Sequence, residues 1–91
     1  VFMFIEAMAD AAVAGGMPRS QAYEFAAQTV LGSAKMVLET GEHPCKLRDD
    51  VCSPAGTTIE AVKVLKETGF EASVMAAMEA AADRNREMTA K

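Results

Sequence analysis

The residues best suited to chemistry lie together in Ser53-Pro54-Ala55-Gly56-Thr57-Thr58, immediately ahead of an apolar run that begins at Ile59. A Pro-Ala-Gly turn followed by two threonines presents backbone N–H groups at the positive end of a helix, with hydroxyls beside them. That combination accepts a carboxylate or a phosphate. The same residues also suit a plain helix start: Thr57 as N-cap and Glu60 three residues on form a capping box, satisfying two otherwise unpaired backbone donors. From residue types alone the capping reading is the more economical. It leaves Thr58 unexplained, at the first helical position with its hydroxyl free, so the ligand-binding reading stays open beside it.

Other reactive side chains do not assemble into a site by their spacing. His43 and Cys45 flank Pro44, and two residues do not supply the four ligands of a closed zinc centre, so no metal is expected. Asp49 and Asp50 are neighbours, which point in different directions on a helix and suit a solvated helix end better than acid/base work. Gly15-Gly16 is followed by Met17-Pro18 rather than by the strand, turn and helix of a dinucleotide fingerprint. Cys45 and Cys52 lie seven apart, about 10 Å of rise on a helix, which is too far for a disulfide. They read as free, buried thiols, in keeping with a reducing compartment.

The elements that must position these residues are helices. In a chain of 91 residues, 51% hydrophobic but only 5% aromatic, much of the apolar content is Ala and Met, both of which favour helix. Short breaks at residues 15–18, 41–44, 53–56 and 69 divide four or five helical segments, and no period-2 run is present. The expected segments are Val1 to about Ala14, Pro18 to Thr40, Pro44 to about Cys52, Thr57 to Thr68, and Phe70 or Glu71 to Met88. On the second, Ala22, Phe25, Ala26, Thr29, Val30, Ser33, Val37 and Leu38 form the packing face. Asp83 with Arg86 and Glu87 with Lys91 are expected to pair on the wet side of the last.

The net charge of -4, with Lys and Arg scattered, leaves no basic footprint for nucleic acid or an anionic membrane. The apolar start is interrupted by Glu6 and Asp10 well short of a membrane span. Those two residues make one narrow polar stripe on an otherwise apolar first helix, which must be covered nearly all round. A domain this small supplies such cover poorly, so an intertwined homodimer is expected. An uncapped first helix that starts at Val1 suggests a piece cut from a longer protein.

Pro44, Leu47, Val51, Cys52, Ser53, Pro54, Ala55, Gly56, Thr57, Thr58, Ala61, Val62 and Leu65, in that spacing, resemble the motif HPGQLKD-VTSPGGTTI of the pyrroline-5-carboxylate reductases. Residues 6–17, Ala34-Lys35 and Gly69-Phe70 are similar to further parts of the same family, so the likeness spans essentially the whole chain. The resemblance implies that residues 1–91 are an all-α, C-terminal dimerisation and substrate-binding domain, with an NADPH- or NADH-binding Rossmann domain outside this chain. It implies a cytoplasmic or mitochondrial oxidoreductase that reduces 1-pyrroline-5-carboxylate to L-proline, as a homodimer that assembles further in many members. It further implies that Ser53 and the N–H groups near Gly56, Thr57 and Thr58 hold the substrate carboxylate and that the Thr58 hydroxyl serves the ring nitrogen. Asp50 falls at a position near the nucleotide. Ala55 replaces the commoner Gly, which matters if that residue needs positive φ. A non-catalytic helical oligomerisation module, with the loop acting as a cap alone, is the alternative.

Overall fold

A computed structural model describes residues 1–89. The described residues form five α-helices and no strand: α1 (Phe2–Ala14), α2 (Arg19–Thr40), α3 (Pro44–Asp50), α4 (Thr57–Glu67) and α5 (Phe70–Thr89). The all-α expectation holds, and the breaks fall where Gly and Pro placed them. The chain divides into two compact units, Val1–Leu47 and Arg48–Lys91.

In the first unit α1 packs on α2 through alanines. Ala9, Ala22 and Ala26 are its buried residues, and Ile5, Met8, Ala12, Val13 and Met17 pack around them partly covered. Small side chains at the contact let the two helices approach closely, and no large side chain is fully buried among the described residues. The connecting turn uses Gly16 at φ 110, a backbone conformation strained for any residue with a Cβ. Pro18 takes the N-cap position of α2, where its missing N–H goes unneeded. Arg19 then reaches back to ion-pair with Asp10 of α1 and lies 5.6 Å from the centre of the Tyr23 ring. Through its hydrogen bond to Asp10 the Arg19 guanidinium is held above its already high pKa.

The packing face expected on α2 is only partly covered. Ala22 and Ala26 are buried and Val30 and Val37 half-buried, whereas Phe25 is 57% and Leu38 83% exposed. The physical reason is that alanine contacts bring α1 against one narrow stripe of a 22-residue helix and leave the flanks bare. α2 stops at Gly41, whose φ of 67 lets its N–H return to the Val37 carbonyl at 3.1 Å.

The second unit pairs α4 with α5 around Gly69, at φ 80. Thr68 closes α4, its N–H donating to the Val64 carbonyl at 3.0 Å and its hydroxyl to the same oxygen at 2.8 Å. Lys66 bridges the corner to Glu71 at 2.7 Å. This hydrogen bond, then the ammonium charge itself, hold the Glu71 carboxyl below the usual glutamate range. On α5, Arg86 pairs with Asp83 at 3.0 Å as expected, and Glu87 is engaged by Arg84 at 3.1 Å. The expected pairing of Glu87 with Lys91 lies outside the described residues. No residue of α4 or α5 is buried in this chain by itself.

Candidate functional site

The candidate site lies within the second unit, between the end of α3 and the first turn of α4. Asp50 is the last residue of α3 and is exposed. Ser53 to Gly56 form a tight turn, closed by the Gly56 N–H donating to the Ser53 carbonyl at 3.0 Å. Pro54 occupies the second position, where its fixed φ suits a turn, and Ala55 the third, at φ 58. Proline followed by a residue of positive φ is the pattern of a type II turn, which ordinarily demands Gly at the third place. The strain anticipated for Ala55 is therefore present.

The turn corrects the expected cap. Gly56, extended at φ -81 and ψ 176, is the N-cap of α4, and no side chain there caps a backbone N–H. Thr57 is accordingly the first helical residue and Thr58 the second, each one place further into the helix than a capping box requires. The closing bond of the turn sets this register by making Gly56 the last residue before the helix. Thr57 thus loses the role that made the purely structural account of the loop economical.

What remains is a compact set of groups around one helix start. The N–H groups of Thr57 and Thr58 belong to the first turn and have no acceptor within the helix. The Gly56 N–H, by contrast, is committed to the turn. Ser53 and Thr57 are exposed and Thr58 and Gly56 half-buried. A small anion meeting this surface would find backbone donors, three hydroxyls and the positive end of an 11-residue helix. The structure brings Ser53, Gly56, Thr57 and Thr58 together in the turn and the helix start, and places Asp50 at the end of the preceding helix.

The thiols depart from expectation. Both are unpaired, but Cys45 is exposed and Cys52 only half-buried, because α3 ends at Asp50 and lies on no large core. His43 has a structural duty that residue type alone did not reveal: its Nδ1 accepts the Cys45 N–H at 3.0 Å, capping the start of α3.

Fold and loop together describe an all-helical domain in which a tight turn leads into a helix start without a side-chain cap. Residues 1–88 match the family described as pyrroline-5-carboxylate reductase dimerisation. The chain belongs to that family. It is 78% identical over 78 residues to pyrroline-5-carboxylate reductase of Escherichia coli K12, covering 86% of this chain and 29% of that protein. It is 54% identical over 91 residues to the Methanosarcina acetivorans reductase, covering 100% of this chain and 34% of that one. The crystal structure of Plasmodium falciparum pyrroline carboxylate reductase, which has NADP bound, superposes with a TM-score of 0.91 at 33% identity, over 96% of this chain and 33% of that one. The Coxiella burnetii enzyme follows at a TM-score of 0.89 and 40% identity, over 94% and 32%. The chain thus spans about a third of the length of the relatives it matches.

Proposed function

We propose that residues 1–91 act as the C-terminal dimerisation and substrate-binding domain of a reductase that converts 1-pyrroline-5-carboxylate to L-proline. The observation that carries this reading is the Ser53 to Thr58 turn. It leaves first-turn N–H groups and hydroxyls at a helix start with no capping duty. A substrate carboxylate fits those donors and the helix dipole. With the carboxylate held by Ser53 and the N–H groups of Thr57 and Thr58, the Thr58 hydroxyl is assigned to the ring nitrogen. There it orients the C=N bond and donates to the nitrogen that gains a proton as the carbon is reduced.

The cofactor of such an enzyme, NADPH or NADH, supplies the hydride. The residues of this chain do not build its site: among the described residues there is no strand, hence no βαβ unit to cradle a pyrophosphate. The cofactor is assigned to a Rossmann domain outside the chain. Asp50 stays a weak proposed contact at its edge, since a carboxylate beside a phosphate is unfavourable.

The partner proposed is a second copy of the chain, in an intertwined homodimer that can assemble further. Phe2, Met3, Phe25 and Leu38 in the first unit, and Val64, Met75 and Met78 in the second, are all more than half exposed. Large exposed apolar side chains of this kind mark interaction surfaces. No helix among the described residues is long and apolar enough to cross a membrane, and the Lys and Arg residues are scattered along the sequence rather than clustered for nucleic acid. The two unpaired thiols suit a cytoplasmic setting.

The test is Thr58→Ala in the intact enzyme. A loss of kcat/KM on the order of a hundredfold is expected, with the dimer retained. Unchanged kcat/KM would remove Thr58 from the chemistry and leave an oligomerisation module.

A further inference from the structure

Neither the backbone conformation of Gly56 nor its N–H explains why the residue is glycine. Its φ of -81 and ψ of 176 are open to any residue. Its N–H is already donated to the Ser53 carbonyl, so it is not a donor to a ligand. What sets it apart is volume: a Cβ on Gly56 would overlap the Ser53 Oγ outright and stand 3.2 Å from the Ser53 carbonyl oxygen and 3.5 Å from the Ser53 Cβ. The Ser53 hydroxyl is folded into the space that a side chain at position 56 would fill.

We infer that Gly56 is a positioning residue for Ser53: the missing Cβ lets the Ser53 hydroxyl lie over the turn, against the Gly56 backbone that leads directly into α4. The inference rests on the carboxylate reading of the loop and adds to it which residue aims the serine. Any side chain at 56 drives Ser53 to another rotamer. That rotation relieves the overlap with Oγ at the tip of a small side chain, while the 3.2 Å approach to the Ser53 carbonyl oxygen, a backbone atom, is met by a shift of a few tenths of an ångström in the turn. Gly56→Ala therefore removes a ligand contact without unfolding the loop.

A double-substitution cycle in the intact enzyme tests this, with Ser53→Ala, Gly56→Ala and the two together. KM and kcat are measured for 1-pyrroline-5-carboxylate, and the thermal midpoint without substrate. Losing a hydroxyl hydrogen bond to a carboxylate raises KM on the order of tenfold. Ser53→Ala and Gly56→Ala are each expected to show that rise with kcat largely retained, and the double variant to be no worse than Ser53→Ala. The thermal midpoint of Ser53→Ala stays near that of the parent, and Gly56→Ala lowers it slightly through the contact with the Ser53 carbonyl oxygen, with or without the serine hydroxyl. The inference is overturned if Gly56→Ala raises KM in the Ser53→Ala background by the same factor as in the parent. In that case the glycine serves something other than the Ser53 hydroxyl. Failure of the underlying reading looks different: Ser53→Ala and Thr58→Ala would then both leave kcat/KM untouched.

Discussion

At the scale of single residues, the loop shows how far residue type reaches. Pro54, Ala55 and Gly56 mark a turn, and the substitution of Ala for the commoner Gly signals strain if φ is positive. The structure supplies the sign, with Ala55 at φ 58. A left-handed alanine is disfavoured by about 1–2 kcal/mol, partly offset by the freedom Gly would gain on unfolding. Ala55→Gly should accordingly stabilise the chain by roughly 0.5–1 kcal/mol in urea unfolding, with the slope unchanged. A loss of stability would show that the Ala methyl group packs usefully. The capping box was the reverse case. Thr57 and Glu60 have the right spacing, yet the backbone bond from Gly56 to Ser53 moves the helix start and takes Thr57 out of the cap. Spacing could not reveal this, because a capping box and a first-turn threonine differ by one residue of register.

Helix boundaries were the most legible feature at the scale of elements, since Gly and Pro act locally on backbone dihedrals. Gly41 ends α2 at φ 67, and Gly41→Ala is expected to destabilise the chain by about 1 kcal/mol. Thermal unfolding measures this, and an unchanged midpoint would mean that the C-cap is not needed. Less legible were the ion pairs at the two helix corners, Asp10 with Arg19 and Lys66 with Glu71. Each spans a turn, so neither follows the i,i+4 rule that makes charge pairs readable along one helix. The Lys66 bond lowers the Glu71 pKa, so this pair supports folding above the ordinary glutamate range. Its contribution is lost as pH falls through the lowered value. Parent and Glu71→Gln chains should therefore differ in thermal midpoint at neutral pH and converge at strongly acidic pH. The difference should shrink with added salt, because both side chains are exposed. A gap that persists in acid would exclude the ion pair as its source.

At the scale of the whole molecule, the two units each leave apolar surface uncovered. Phe2 and Met3 are 88% and 83% exposed on α1, and α5 carries Val74, Met75 and Met78 at 44%, 62% and 70%. Mass measurement in solution is expected to find a dimer, and a stable monomer would contradict the proposed partner. Met78→Glu, placing a charge on the apolar stripe of α5, should shift the population toward monomer by mass action. An unchanged mass would exclude that stripe from the interface.

Helix propensity, proline and glycine act within a few residues of chain, so the all-α class, the helix breaks and the family motif are legible in the order of residues alone. Tertiary structure decided which apolar positions are covered: alanine contacts bury Ala9, Ala22 and Ala26 and leave Phe25 and Leu38 bare. It also decided what the loop's residues do. Ala55 has positive φ, Gly56 rather than Thr57 precedes the helix, and the space of a missing Cβ holds the Ser53 hydroxyl. Those outcomes depend on dihedral signs and on which atoms fill which space, and residue type leaves both open.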